Sequence, residues 1–235
     1  MAHEMEKPGD PADLYLALGE DIIAARPILT GDVFDGVEIT DTDGTSIRRT
    51  IMVLDHPCSL RTDGVKLTSR LTAAEVARTQ PASWRGSFNR MLLPAPFPGA
   101  DGKAHPCAAF FDTCYHLSPE QLEAGTRIAC LSHQGINLLL QRRVKHFSRV
   151  TVPTFEFQEA NQGVYEEADV IEEWCTSRED DGVKLSEATA ECVCWLREKP
   201  VDRSRQDMLK DAQQRSTVRK QMRNRLKELR IGSTP

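Results

Sequence analysis

The sequence predicts an α+β protein, in which a small, partly open β-barrel with flanking helices is followed by a C-terminal helical extension. Two observations support this prediction. Short strand-like segments separated by turn signals occupy residues 1–150 and end in an amphipathic helix, whereas residues 151–235 show only helical periodicity. We therefore expect three segments: a barrel over 1–150, an acidic helical region over 151–200 and a basic amphipathic tail over 201–235.

Composition excludes several classes of protein. A hydrophobic content of 40% with 28% charged residues is that of a globular protein, and no apolar run approaches the roughly 20 residues that span a bilayer. Residues 1–13 are polar and acidic, unlike a secretory signal, so we expect a cytoplasmic protein. The seven cysteines, an odd number, argue against a disulfide framework.

The first predicted element is a helix over residues 11–25. Asp10 before Pro11 is typical of an N-cap followed by proline at the first helical position. Leu14, Leu18 and Ile22 then recur at helical spacing.

Strand signals follow this helix. Gly31-Asp32-Val33-Phe34 indicates a turn that enters a strand, Asp41-Thr42-Asp43-Gly44 indicates a hairpin turn, and Ile47 to Leu54 is the strongest strand pattern in the chain. Further candidate strands cover residues 65–68, 90–93, 107–112 and 127–130. The prolines and glycines of residues 94–103 predict a loop.

Helix signals mark the end of the barrel segment. Ser118-Pro119-Glu120-Gln121 is a capping box, and Ser132 is the N-cap of a closing helix. The apolar stripe expected on that helix consists of Ile136, Leu139, Leu140, Val144 and Phe147. Beyond it, residues 170–175 and 185–195 are helical in pattern, with a break at 180–182.

Three pairs of histidine and cysteine, each spaced two residues apart, are the main candidates for chemistry. They are His56-Pro57-Cys58, His105-Pro106-Cys107 and Cys114-Tyr115-His116. In a strand each pair points from one face, so His56, Cys58, His105 and Cys107 could together hold zinc. The alternatives are buried thiols with loop histidines, or Cys58 as a nucleophile; the prediction is no cofactor, with zinc as the rival.

Four short features recur in order over about residues 30–150: Gly31-Asp32-Val33, Arg49 before the apolar run 51–54, Thr68 in a following strand, and the segment from Arg127 to Phe147. Together they resemble the MazF/PemK toxin barrel, which has an SH3-like fold. The resemblance implies a metal-independent endoribonuclease that cleaves single-stranded RNA. Arg49 would stabilise the phosphate, and Thr68 would orient attack by the 2′-hydroxyl.

This sequence departs from the family at several points. Thr50 stands where proline usually follows the arginine, and the acidic C-terminal region is foreign to the family. The alternative is that Arg49 is a solvated residue at a strand end and that Thr68 is an ordinary β-branched strand residue.

Charge divides the C-terminal extension into two halves of opposite sign. Residues 151–200 contain 13 acidic and 4 basic residues, whereas 201–235 contain 10 basic and 4 acidic ones. The basic residues of the tail are candidates for binding nucleic acid or a protein partner: Arg215, Arg219, Lys220, Arg223 and Lys227. Because the tail contains no aromatic residue, we favour contact with an acidic surface, either the chain's own glutamate and aspartate clusters or another subunit.

These observations favour a non-enzymatic interaction or accessory module of a cytosolic bacterial-type assembly, with nucleic acid as one candidate partner. The MazF-like ribonuclease is the alternative, and the sequence leaves the choice open. The expected partner is a protein, or a second copy of this chain, bound through the C-terminal helix. We expect no association with a membrane.

Overall fold

A computed structural model describes the chain over residues 4–40, 44–61, 66–80, 83–84, 86–98 and 104–232. It is an α+β protein, as predicted, with a seven-stranded antiparallel sheet curled into a half-barrel. The chain forms two compact units. The barrel unit comprises residues 1–22 and 29–159, and the helical unit comprises residues 23–28 and 160–235.

The strands in chain order are β1 (Tyr15–Leu18), β2 (Val33–Thr40), β3 (Ser46–Val53), β4 (Leu71–Arg78), β5 (Arg90–Pro98), β6 (Ala104–Leu117) and β7 (Thr126–Leu131). Within the sheet their order is β1-β7-β2-β3-β4-β6-β5, and every neighbouring pair is antiparallel. The edges are therefore β1 and β5.

The α-helices described in the structure are α1 (Pro119–Glu123), α2 (His133–Ser148), α3 (Thr154–Asp180), α4 (Leu185–Arg197), α5 (Arg205–Leu209) and α6 (Arg215–Gly232). Within the described ranges, no helix combines the length and apolar composition needed to cross a membrane. Helix α3 begins in the barrel unit and continues into the helical unit.

The predicted hairpin between the strand after Gly31 and the strand over 47–54 is confirmed. Strands β2 and β3 are antiparallel, and Thr40 lies opposite Ser46. The turn predicted at 41–44 falls mostly outside the described residues, which resume at Gly44. Strand β3 has an apolar second half, in which Ile51 and Met52 are fully buried. Burial of these side chains favours a place for β3 inside the sheet.

The predicted first helix is wrong. Asp10 does cap a short turn, but this is a 3-10 helix over Pro11–Leu14, and Tyr15–Leu18 is strand β1. Tyr15 lies opposite Leu131 of β7, and Leu14 is fully buried. Pairing with β7 has overridden a helical spacing that contains few other helix signals.

The central strand β4 was not predicted from the sequence, and the strand predicted at 65–68 is absent. Strand β4 lies between β3 and β6, yet its alanines and glutamate are weak strand formers. The strand expected at 65–68 is wrong over its described part, since Leu67 forms only an isolated bridge with Arg61 and Thr68 lies outside any strand.

The loop predicted over 94–103 is also wrong in its first half. Strand β5 continues to Pro98, with a shift in register between Leu93 and Phe97. Because β5 is at the edge of the sheet, proline's missing N–H removes no bond to a second neighbour. Residues 99–103 lie outside the described part of the chain.

Both predicted helix caps in the barrel unit are confirmed. Ser118 Oγ accepts a hydrogen bond from the Gln121 N–H at 3.3 Å, and Gln121 Oε1 accepts one from the Ser118 N–H at 3.0 Å. Ser132 Oγ accepts one from the Gly135 N–H at 3.1 Å. A Cβ at Gly135 would lie only 2.3 Å from the Leu14 carbonyl oxygen, so this position in α2 requires glycine.

The apolar stripe of α2 is only partly buried. Ile136, Leu139 and Leu140 belong to the core, as predicted. Phe147 does not, because 69% of its surface is exposed. The helix therefore leaves the core before its last turn.

The helical unit has a core of its own. Trp174 of α3 and Trp195 of α4 pack with their rings 5.3 Å apart, and both are buried. The predicted break between these helices is confirmed, with Gly182 in the left-handed region at a φ of 81°. Helix α6 adds Val218 and Met222, which are fully buried in the same core.

Candidate functional site

Arg49, the catalytic arginine implied by the resemblance, belongs to a polar cluster on the sheet. Its Nε lies 3.7 Å from Glu75 Oε1, and the Tyr115 hydroxyl donates a hydrogen bond to Glu75 Oε2 at 2.7 Å. Strand pairing brings the three residues together, because they lie on the adjacent strands β3, β4 and β6. The Arg49 side chain is 42% exposed and that of Glu75 is 22% exposed, so a ligand can reach them.

The electrostatics of this cluster favour a neutral tyrosine. Burial and the hydrogen bond with Glu75 raise the pKa of Tyr115, and the Arg49 cation partly opposes this rise. In such a cluster the arginine is a cation that can bind phosphate, and the carboxylate is a base that can accept a proton. Glu75 was missed in the sequence because β4, the strand that carries it, was missed.

Thr68 is not next to Arg49 in strand order. It precedes β4, and its backbone N–H donates to the Leu60 carbonyl at 2.9 Å. Its hydroxyl donates to the Arg70 carbonyl at 3.0 Å. Arg49 lies on β3 two residues before Ile51, which is opposite Glu75 in the second half of β4. The chain therefore places Thr68 at the entry to β4 and Arg49 beside the later part of that strand.

The predicted zinc ligands lie beside opposite ends of β4. Cys107 lies opposite Arg78 at the end of β4, whereas His56 follows Val53, which lies opposite Ala73 near its start. Five residues of strand, about 17 Å, separate Ala73 from Arg78. Over the described residues, no group of three or more histidine, cysteine or acidic side chains could hold a metal ion.

The first of the His/Cys pairs is a local turn. His56 Nδ1 accepts a hydrogen bond from the Cys58 N–H at 3.3 Å, and both side chains are exposed. His56 keeps an exposed surface, but partial desolvation of its ring and the nearby Arg143 cation lower the pKa of the imidazole. His105, Cys107, Cys114 and His116 all lie on β6. Cys107 is partly buried, whereas Cys114 and His116 are exposed.

The basic tail folds against acidic residues of its own unit. Arg219 of α6 lies 2.8 Å from Glu166 and 3.4 Å from Glu173 of α3, and Arg223 lies 3.3 Å from Glu173. Arg215 Nε instead donates to the Leu209 carbonyl at 2.9 Å. Of the predicted binding residues, Lys220 and Lys227 are exposed lysines on α6.

Arg219 also determines the ionisation of its partner. Burial opposes ionisation of Glu166, but hydrogen bonds from Arg219 and Gln162 more than offset it and lower the pKa of the carboxyl group. In the same unit, Arg26 lies 2.7 Å from Glu172 and 3.2 Å from Asp169. Much of the acidic charge of α3 is thus matched inside the helical unit.

A different basic region lies where α2 ends. We define the α2-end surface by Phe88, Lys145, His146, Phe147 and Arg149. The Arg149 guanidinium lies 4.9 Å from the centre of the Phe88 ring, and the Lys145 ammonium donates to the Arg149 carbonyl at 2.7 Å. The rings of His146 and Phe147 meet edge to face at 4.8 Å. This surface combines an exposed aromatic ring with cations.

The sequence contained a signal for this surface that the prediction did not use. Lys145 and Arg149 flank Phe147 in the sequence, and α2 contains no acidic residue. The aromatic ring was instead assigned to the core because it continues the apolar stripe.

Comparison of the chain with protein-family models and with curated proteins finds no match.

Proposed function

We propose that the protein is a non-enzymatic accessory module that works by binding another macromolecule at its barrel unit. One observation carries the proposal: Phe147 is 69% exposed on a basic turn of helix, where a side chain of this size would otherwise be buried. Val150 and Phe155 follow within eight residues and are also largely exposed, at 57% and 63%.

The tail is a weaker candidate for this role. Its apolar stripe is buried in the core of the helical unit, and several of its arginines are paired with α3. A partner that used α6 would have to displace these contacts or use only the exposed lysines. The α2-end surface requires no such rearrangement, because Phe147 already faces solvent.

A second function, RNA cleavage, is favoured by a different observation. The Arg49 guanidinium and the Glu75 carboxylate are adjacent and partly exposed. In this candidate Glu75 accepts the proton from a ribose 2′-hydroxyl, and Arg49 stabilises the phosphate as the 2′-oxygen attacks. The bond to the 5′-oxygen breaks, and this oxygen takes a proton from water and leaves as a 5′-hydroxyl. This chemistry needs no protein nucleophile, and Tyr115 would position Glu75.

One experiment separates the two functions. Purified protein is incubated with a set of single-stranded RNAs, beside Arg49→Ala and Glu75→Gln variants, and the products are resolved by length. Arg48→Ala is the matched control, because Arg48 is the exposed neighbour of Arg49 on the same strand. The accessory function predicts intact RNA in every sample.

Cleavage by the wild type and by Arg48→Ala, lost in Arg49→Ala and reduced in Glu75→Gln, would overturn the accessory function and establish the ribonuclease. Intact RNA throughout would remove the ribonuclease from consideration.

A further inference from the structure

We propose that an exposed row of cations on helix α6 binds the phosphate backbone of double-stranded nucleic acid. We define the α6 cation row as Lys220, Arg223, Lys227 and Arg230. The site goes beyond the accessory function proposed for the barrel unit, because it lies in the helical unit and uses no residue of the α2-end surface.

The helix places the four cations on one side. Successive members of the row are three or four residues apart, which is the spacing at which side chains are neighbours on the surface of a helix. All four residues are exposed. Val218 and Met222, by contrast, are fully buried in the core of the helical unit. The row therefore lies outside the buried stripe of α6.

The row differs from an ordinary solvated face of a helix because its members have the same charge. Like charges three or four residues apart repel one another and destabilise a helix, so a face that is only solvated is expected to alternate the two signs. Another side of α6 does alternate them, since Arg225 lies 3.2 Å from Glu228. The stability of α6 therefore does not explain the row, whereas a polyanionic ligand would relieve the repulsion.

Helix α3 supplies counter-charge to the arginines of the row. Arg223 Nε lies 3.3 Å from Glu173, and Arg230 Nε lies 2.9 Å from Asp181. Over the part of the chain that the structure describes, no acidic side chain forms an ion pair with either lysine of the row. The lysines are therefore the unmatched cations, and the Arg223 side chain remains 62% exposed beside them.

The composition of this side of α6 favours nucleic acid over a protein partner. The centre of a protein interface is depleted in charge and enriched in apolar and aromatic side chains. Here the exposed residues that flank the row are polar, namely Ser216, Thr217 and Asn224. Lysine and arginine together with serine, threonine and asparagine are the side chains that contact phosphate oxygens in nucleic-acid complexes.

Length and charge density favour a duplex over a single strand. The row from Lys220 to Arg230 extends about 15 Å along the helix axis. One strand of a duplex carries about four phosphates over this length, so the row can face as many phosphates as it has cations. Single strands are bound instead by stacking of bases on aromatic rings, and α6 contains no aromatic residue.

Fluorescence anisotropy with a 5′-labelled twenty-base-pair DNA duplex tests the proposal on the full chain at about 50 mM salt. DNA lacks the 2′-hydroxyl that cleavage by Arg49 and Glu75 would need, so the measurement is independent of that reaction. We expect saturable binding by the wild type. Lys220→Gln combined with Lys227→Gln should weaken binding about tenfold and flatten the slope of log affinity against log salt by about 1.8, the value for two phosphate contacts.

Two further double variants separate the row from the general charge of the protein. Lys184→Gln combined with Lys199→Gln removes the same charge from exposed lysines of the helical unit that lie outside α6, and it should leave affinity and slope unchanged. Lys220→Arg combined with Lys227→Arg keeps both charges and should bind as the wild type does. Lysine, arginine and glutamine are all good helix formers, so α6 is retained in the variants that change it.

Four results would overturn the site. They are no saturable binding of the duplex, an equal loss in the control with Lys184 and Lys199 changed, equally tight binding of one strand of the duplex alone, and displacement of the duplex by polyglutamate as effectively as by unlabelled duplex. The last result would assign the row to an acidic protein. The accessory function is tested separately by the RNA products of the barrel variants, and circular dichroism verifies the fold of each protein.

Discussion

Helices α2 and α6 are both amphipathic and basic, yet their charged ends have different surroundings. Along α6, Arg219 and Arg223 lie beside glutamates of α3, and the apolar stripe is buried. Along α2, the first half is buried, whereas Phe147 in the last turn is exposed. A basic amphipathic pattern is therefore a structural element when its own unit supplies the counter-charge, and a candidate binding surface when it does not.

The largest expected effect tests the buried side of α6. Met222→Ala should lower the free energy of unfolding by about 3 kcal/mol, because Met222 is fully buried and its removal leaves a cavity. Urea denaturation followed by tryptophan fluorescence is suitable, since Trp174 and Trp195 lie in this unit. Lys220→Ala, on the exposed face of the same helix, should change stability by less than about 0.5 kcal/mol. Equal effects of the two variants would contradict the docking of α6.

The next effect tests the buried half of α2. Gly135→Ala should destabilise the protein by about 2 kcal/mol, because the added Cβ would lie 2.3 Å from the Leu14 carbonyl oxygen. Gly86→Ala is the control, since a Cβ there meets nothing within 4 Å. Thermal unfolding followed by circular dichroism compares the two. A Gly135→Ala protein as stable as the wild type would show that α2 does not pack closely against the backbone at Leu14.

A smaller effect tests the counter-charge itself. A double-mutant cycle on Arg219→Ala and Glu166→Gln should give a coupling free energy of about 0.5–1 kcal/mol at neutral pH, since both side chains are partly exposed. The folded-state pKa of Glu166 is lowered, so this stabilisation is complete above its ordinary value of 4.5 and is lost as the pH falls through the folded value. A coupling that is unchanged in acid would exclude the ion pair as its source.

The smallest effect tests the exposed end of α2. Phe147→Ser should change the free energy of unfolding by no more than about 0.5 kcal/mol, because the ring makes little contact with the core. Chemical denaturation measures this, with the buried Leu139→Ala as the destabilised reference. Comparable losses in both variants would assign Phe147 to the core and remove the contrast between the two helices.

Elements that depend on neighbours close in sequence were predicted correctly, whereas elements that depend on distant partners were not. The caps at Ser118 and Ser132 depend on neighbours three residues away, and both are confirmed. Strand β1 and the central strand β4 depend on partners far along the chain, and neither could be predicted from local patterns. Ala73 and Ala74 of β4 are buried, but in isolation alanines are weak strand formers.

The candidate site shows the same limit. Arg49 was a candidate from the sequence, but its neighbours Glu75 and Tyr115 come from strands 26 and 66 residues further along, so only the pairing of strands reveals them. For α2, helical spacing predicted the buried Ile136 and Leu139 and also extended the stripe to Phe147. Helical spacing shows which residues share a face of the helix, but not how far along the helix that face is buried.

The prolines of β5 have a consequence for how the protein behaves at high concentration. An edge strand normally presents a row of free N–H and C=O groups that can template a strand from another molecule. Pro94, Pro96 and Pro98 remove three N–H donors at alternate positions of this edge. The opposite edge, β1, is only four residues long. The Pro94 carbonyl is also occupied, because it accepts a hydrogen bond from the Tyr15 hydroxyl of β1 at 2.9 Å. We therefore expect both edges of the half-barrel to resist edge-to-edge aggregation.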